Sequence, residues 1–260
     1  MTDGSTPTID LNSDLGEGLG SWEMGDDDAL LAVVTSANVA CGAHAGDPSI
    51  MRRVTARAGE GGVAVGAHVA YRDHVGFGRR FIDMEPHALT DEVVYQVAAL
   101  DGIARAAGGR VTYVKPHGAL YNAIVTHEEQ ARAVVEAVRA YDDALVLLGL
   151  PGSVVLALAE QAGLRTAHEA FADRAYTPEG HLVPRSQPGA VLHDAGEIAR
   201  RCVAMATGEP ITDVNGDRLS VRPHSICVHG DTPGAVVIAR EVRGALEGAG
   251  VRLAPFAPAG

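Results

Sequence analysis

Apolar, β-branched runs alternate with segments of helical period from one end of the chain to the other. Seven runs are predicted strands: Thr8 to Asn12, Ser36 to Cys41, Val63 to Ala70, Val111 to Lys115, Ala144 to Leu150, Arg165 to Phe171 and Ser225 to His229. Polar residues mark the helix starts between them. Asp47-Pro48 and Thr232-Pro233 each set a capping side chain before a proline at the first helical position, where the missing N–H costs nothing. Thr126 with Glu129 reads as a capping box. Thr90 before the acidic pair Asp91 and Glu92 reads as the start of a helix running toward Gly108. Residues 152 to 162 and 194 to 207 are further helices.

Such alternation implies parallel strands joined by right-handed crossovers, in a closed barrel or an open doubly wound sheet. In an open sheet the reactive residues should gather at one switch point. Here nearly every run ends in a potentially reactive group, as barrel strands do. The predicted fold is therefore α/β, a distorted seven-stranded (β/α) barrel of the TIM type. No linker, repeat or low-complexity segment divides the pattern, so one domain is expected over residues 1–260. Three segments fall outside it and are expected to decorate the barrel mouth: residues 71–86, 173–188 and 209–223. The first (YRDHVGFGRRF) is rich in Gly and Arg and is a candidate lid. The third carries Asn215-Gly216 between two short apolar runs, a hairpin signal.

Composition narrows the function. Hydrophobic residues make up 47% of the 260 and aromatics only 4%, so the core must be built from Ala, Val, Leu and Ile. A formal charge of −12 without a basic run argues against nucleic acid or an anionic membrane and for a small-molecule substrate. No apolar run approaches a membrane span, and MTDGSTPTID has neither basic segment nor apolar core, so a soluble cytoplasmic protein is expected. Cys41, Cys202 and Cys227 are widely separated and form no C-x-x-C, which fits reduced thiols. Of 21 basic residues, Lys115 is the only lysine. An ammonium is a compact charge whose pKa can shift, which the guanidinium of Arg cannot replace.

The chemistry-bearing residues fall at the strand ends. Alternation puts Asp10, Asn12 and Asp14 on one side of the first strand, facing a barrel axis. Small residues around His44 leave room for a ligand. The third strand carries His68, and the fourth brings Lys115 two residues from His117, on the same face if extended. Lys115 is suited to an oxyanion or a substrate carboxylate, and His117 to proton transfer. Glu169 closes the sixth strand. His229-Gly230-Asp231 precedes a helix start whose free N–H groups suit an anion. Cys41 reads as a small buried residue. So many charged or imidazole groups at strand ends point to a shared active site, because isolated buried charges are costly.

The motifs DLNSDLGEG, SANVACGAHAGD, GAHVAYRD, VKPHGALYN, HEAFADRAYTPEGHLVPR and ICVHGDTPGA resemble those of the LamB/YcsF family of lactam-utilisation proteins, in order and over almost the whole chain. The resemblance implies a seven-stranded barrel related to glycoside hydrolase and deacetylase barrels. It also implies ATP-dependent opening of 5-oxo-L-proline to L-glutamate, together with the 5-oxoprolinase B and C subunits. Within these motifs Asp14, His44, His68, Lys115 and His117 are the catalytic candidates. Asp10, Asn12, Asn38, Glu169, Arg185 and His229 are candidate substrate contacts. ATP, as co-substrate with Mg2+, is expected to be handled by the partners, since the chain has no G-x-x-x-x-G-K-[ST]. Two rival readings stand beside this one. A metal-dependent deacetylase or amidohydrolase would use Asp14, His44 and His68 as ligands, although no H-x-x-x-H fixes a pair at a strand end. A binding subunit whose partners do all the chemistry would not need so many buried charges.

Overall fold

The computed structural model describes residues 6–230 and 234–259. Seven parallel strands close on themselves: β1 (Thr8–Leu15), β2 (Ser36–Ala40), β3 (Ala64–His68), β4 (Val111–Val114), β5 (Val146–Gly149), β6 (Arg165–Phe171) and β9 (Ser225–Cys227). Pairing of Asp10, Leu11 and Asn12 with Ser225, Ile226 and Cys227 joins the first strand to the last and excludes the open sheet. A two-residue strand, β10 (Arg252–Leu253), adds to the start of β1. The hairpin signal forms β7 (Ile211–Thr212) and β8 (Arg218–Leu219), antiparallel. Its loop is organised by Asp213, whose carboxylate accepts from the Asn215 and Asp217 backbone N–H groups.

Eight helices are formed among the described residues: α1 (Asp27–Leu31), α2 (Pro48–Gly61), α3 (Pro86–Ala106), α4 (Gly118–Ala123), α5 (Glu128–Tyr141), α6 (Val154–Gln161), α7 (Ala195–Thr207) and α8 (Ala235–Gly248). Asp47 caps α2 by accepting from Ser49 and Ile50, with Pro48 at its first position. Leu89, Val93, Val97, Leu100 and Ala104 recur at helical spacing and bury one face of α3. Two expected starts are corrected. α3 begins at Pro86, four residues before Thr90, whose hydroxyl donates to the Pro86 and Ala133 carbonyls from within the helix. α5 is capped by the His127 ring, which accepts from the Gln130 N–H, so Thr126 and Glu129 form no capping box. The start expected at Thr232-Pro233, and Asp231 beside it, lie outside the described residues. No described helix is long and apolar enough to cross a membrane, and all three cysteines are buried free thiols.

Strand alternation divides the chain between two environments. Leu11 and Leu15 face outward into the main apolar core under the helices. Asp10, Asn12 and Asp14 face the interior, where their partners are Ser36 and Asn38 on the adjacent β2 and Glu169 on β6. One part of that interior is apolar, where Ala64, Tyr113, Val146, Leu148 and Ala167 pack with Ala257 and Phe256 of the C-terminal segment. A barrel this narrow has room for Tyr113 only because β3 carries Gly66 opposite it: a Cβ there would overlap the phenol ring. The Tyr113 hydroxyl donates to Asn38 Oδ1 at 2.7 Å, joining the apolar part to the polar one.

Candidate active site

The sole lysine enters the barrel from the exit of β4 and is 2% exposed. Its Nζ donates to Asp14 Oδ1 at 2.9 Å and to Asn12 Oδ1 at 3.3 Å, approaches Glu169 Oε1 at 2.9 Å, and lies 3.2 Å from Cys227 Sγ. Beneath this ion cluster the polar groups bind one another. Asn12 Nδ2 donates to Glu169 Oε1 and Ser225 Oγ, and Asn38 Nδ2 donates to Asn12 Oδ1 and Asp14 Oδ1. Asp10 accepts from the hydroxyls of Thr35, Ser36 and Ser225. A densely partnered network of this kind holds its charges in one geometry.

Burial alone would neutralise both Asp14 and Lys115. His68 and Lys115 outweigh burial at Asp14 and hold its carboxyl well below the ordinary range, while Asp14, Cys227 and Glu169 hold the Lys115 ammonium well above its own. The site floor therefore keeps an ionised carboxylate against a permanent cation. Asp10 behaves oppositely, since burial outweighs its three hydroxyl donors and raises its pKa from 3.8 to about 6. A folded-state pKa above the unfolded value means that the folded chain binds more protons between those limits, so this group's contribution to stability falls as pH rises from about 4 to about 6. Asp10→Asn removes that titration. Its stability relative to the parent is expected to improve across the window, by on the order of 3 kcal/mol at most. Urea denaturation at a series of pH values checks this, and a pH-independent difference would contradict it.

Beside the ion cluster stand three imidazoles and a carboxylate. His68 Nε2 is 3.3 Å from Asp14 Oδ1 and 3.0 Å from His117 Nδ1. His44 Nε2 is 3.2 Å from Glu17 Oε1, and the His44 and His117 rings stack at 3.8 Å. Burial and the neighbouring His68 push His44 well below the ordinary histidine range, and burial with both neighbours does the same at His117. The candidate lid closes over these rings. The Phe77 carbonyl accepts from His117 Nε2 at 2.9 Å, and Phe77 sits edge-on to both rings. Phe77 takes a left-handed φ of 53°, followed by Gly78 at 63°, where a Cβ would press on the His44 Cβ and the His117 ring. Asp73 braces the segment by pairing with Arg80.

Above the floor opens a cavity of about 560 Å3, lined by Asp14, His68, Lys115 and His117 together with Arg79, Arg174, Arg185 and His229. Asp173 Oδ1 lies 2.7 Å from His229 Nδ1, and His229 Nε2 lies 3.1 Å from an Arg185 nitrogen. An ionised Asp173 fixes the tautomer, so the ring donates to the carboxylate and accepts from the guanidinium, aiming Arg185 at the cavity. Six of the expected site residues thus line one space. Asp10, Asn12, Asn38 and Glu169, expected to touch substrate, instead lie beneath the cavity without lining it. His44 is likewise buried behind its wall. The ligand set expected for a metal also changes. Among the described residues, His44 and His68 gather with Glu17 and His117, whereas Asp14 groups with Cys227 and His229.

The model of the LamB/YcsF family matches residues 9–259. The chain belongs to the LamB/YcsF family. Among its relatives within LamB/YcsF, the 5-oxoprolinase A subunit of Streptomyces griseus is 59% identical over 249 residues, covering 96% of this chain and all of that protein. The protein of the same name from Cutibacterium acnes is 56% identical, covering 95% and 98%. A lactam utilization protein from Thermus thermophilus, 42% identical, superposes with a TM-score of 0.92 over 96% of this chain and all of that one.

Sequence reasoning passed over Glu17, Arg79, Asp173 and Tyr113 in this LamB/YcsF chain. The missed signal at Glu17 is Gly16, whose φ of 70° turns the chain just past β1 and ends the alternation on which the strand reading relied. At Asp173 it is the spacing of four residues from Glu169.

Proposed function

We propose that this chain is the A subunit of an ATP-dependent 5-oxoprolinase, in which it opens 5-oxo-L-proline to L-glutamate together with B and C subunits. The observation that carries the reading is the buried Asp14–Lys115 pair at the floor of a cavity walled by Arg79 and Arg185. A small cyclic amide bearing a carboxylate needs both features: a polarising cation at the carbonyl and a guanidinium at the acid. The names of the relatives supply the substrate.

An unstrained lactam resists hydrolysis, and ATP drives it when the partners, with Mg2+, transfer a phosphoryl group to the carbonyl oxygen. In this barrel, water then adds to the activated carbon and Asp14 takes its proton, with His68 beside it. Asp14 does this rather than His44, because it lines the cavity and His44 does not. The Lys115 ammonium stabilises the developing negative charge at the adduct. Collapse breaks the C–N bond, and the proton held at Asp14 goes to the leaving nitrogen, which becomes the amine of glutamate. A second water converts the remaining acyl phosphate to carboxylate and phosphate.

The test is glutamate release from 5-oxoproline with purified subunits, omitting each in turn. Turnover is expected only when this chain, both partners and ATP are all present. Glutamate formation without this chain, or none with the full set, would overturn the proposal. If Arg185 holds the substrate carboxylate, Arg185→Ala raises KM by about tenfold, the worth of one charged hydrogen bond, and changes kcat little. A kcat loss at unchanged KM would place Arg185 elsewhere in the mechanism.

A further inference from the structure

We propose that Glu17, His44, His68 and His117 form a site for one divalent transition-metal ion, Zn2+ being the best match. Two hydrogen bonds carry the argument. His68 Nδ1 lies 2.9 Å from the Lys115 carbonyl, and His117 Nε2 lies 2.9 Å from the Phe77 carbonyl. A carbonyl only accepts, so each ring spends its N–H on the backbone. The remaining nitrogens, His68 Nε2 and His117 Nδ1, then both carry lone pairs in neutral rings, yet they face each other at 3.0 Å, with the Asp14 carboxylate a further acceptor 3.3 Å from His68 Nε2. Two lone pairs repel at that distance unless a cation lies between them. Orientation of an imidazole by a hydrogen bond from its far nitrogen is the usual arrangement behind a metal-bound histidine.

The other two groups converge on the same point. Glu17 Oε1 lies 3.7 Å from His117 Nδ1 and 3.2 Å from His44 Nε2. His44 is 1% exposed, and its Nδ1 has no hydrogen-bond partner. One ligand atom from each of the four residues lies within 4.8 Å of all the others. Bonds of about 2.0–2.1 Å at tetrahedral angles put zinc ligand atoms about 3.3 Å apart, and the separations of 3.0, 3.2 and 3.7 Å bracket that value. The donor set of three imidazoles and one carboxylate suits zinc better than Ca2+ or Mg2+, which favour oxygen. Each ligand comes from a different element: Glu17 from the turn after β1, His44 from the loop before α2, His68 from the end of β3 and His117 from the exit of β4. The ion would therefore tie four segments together at the cavity wall, where His68 and His117 meet the open space. The competing account is a proton shared between His68 and His117, which requires one ring to be an imidazolium and no metal at all.

This inference goes beyond the lactam reading and does not depend on it, since its test reads metal directly. The purified chain is stripped with a chelator, loaded with excess Zn2+ or Co2+, exchanged into metal-free buffer and analysed for metal. About one equivalent is expected to remain per chain, and the Co2+ form should show ligand-field bands without thiolate charge transfer. Glu17→Gln, nearly isosteric and so compatible with the fold, and His117→Ala should each weaken binding at least about tenfold. Cys227→Ser, from the neighbouring Asp14–Cys227–His229 group, should retain the metal. Failure of the wild-type chain to hold metal, binding unchanged in both ligand variants, or a thiolate band would each overturn the site. An imidazolium 15N signature at His68 or His117 in Zn2+-loaded protein would establish the shared proton instead.

Discussion

Lys115→Ala abolishes glutamate formation in the reconstituted enzyme, with kcat falling by about a thousandfold or more, the range seen when an oxyanion stabiliser is removed. The effect is large because, among the described residues, no other permanent cation stands in the floor. Arg79, Arg174 and Arg185 line the cavity, and the nearest groups to Lys115 Nζ are two carboxylates, an amide oxygen and a thiol. Truncation also leaves Asp14 and Glu169 buried without their cation, a loss of about 3–5 kcal/mol for a broken buried pair. Lys115→Ala with Glu169→Gln removes one of those charges and should recover part of the stability without recovering activity. Circular dichroism melting and glutamate release on the same samples separate the two effects. Activity restored along with stability would reduce Lys115 to a structural ion.

Gly66→Ala destabilises the fold by about 3 kcal/mol, at the upper end of ordinary overpacking. The added methyl falls on the Tyr113 ring, which is fully buried between Gly66 and Phe256. Moving the ring also withdraws the hydroxyl from Asn38, which in turn holds Asn12 and Asp14. For a chain of this length the melting temperature should fall by about 6 °C or more. The same substitution at Gly102 meets no atom within 4 Å and lies within α3, so Gly102→Ala should stabilise by roughly 0.5–1 kcal/mol. One added methyl thus acts with opposite sign at two glycines, according to the space beside each. Equal effects at both positions would contradict the packing described.

The barrel was legible because β-branched runs and alternation report strand position directly. Arg165–Phe171 matched its predicted bounds, and the other six strands shifted by a few residues at their ends. Helix starts read less well where an uncommon cap replaced a common one, as with the His127 ring at α5. The site shows a second kind of limit. Alternation tells which face of a strand a side chain takes, and so placed Asp10, Asn12 and Asp14 together inside the barrel. It carries no measure of depth along the barrel axis. Asp14 reaches the cavity, whereas Asp10, two periods of the alternation earlier, is sealed among hydroxyls. Glu17 escaped notice for a related reason, since a left-handed glycine redirects the chain in a way that period alone does not encode. The Asp173–His229–Arg185 chain joins residues 44 and 56 positions apart, a pairing created by the adjacency of β6 and β9.

The most direct test of the central claim is made on Asp14, the one carboxylate among the described residues that both lines the cavity and meets Lys115. Asp14→Asn keeps the shape of the side chain, and Lys115 retains Glu169 as a partner. Wild-type and variant chains are assembled with the same partner subunits, assembly is verified by size, and glutamate release is measured at saturating 5-oxoproline and ATP. The expected result is an intact complex whose kcat is lower by about a hundredfold or more, the contribution of a lost general base. Turnover within about twofold of wild type would contradict the assignment of ring opening to this site.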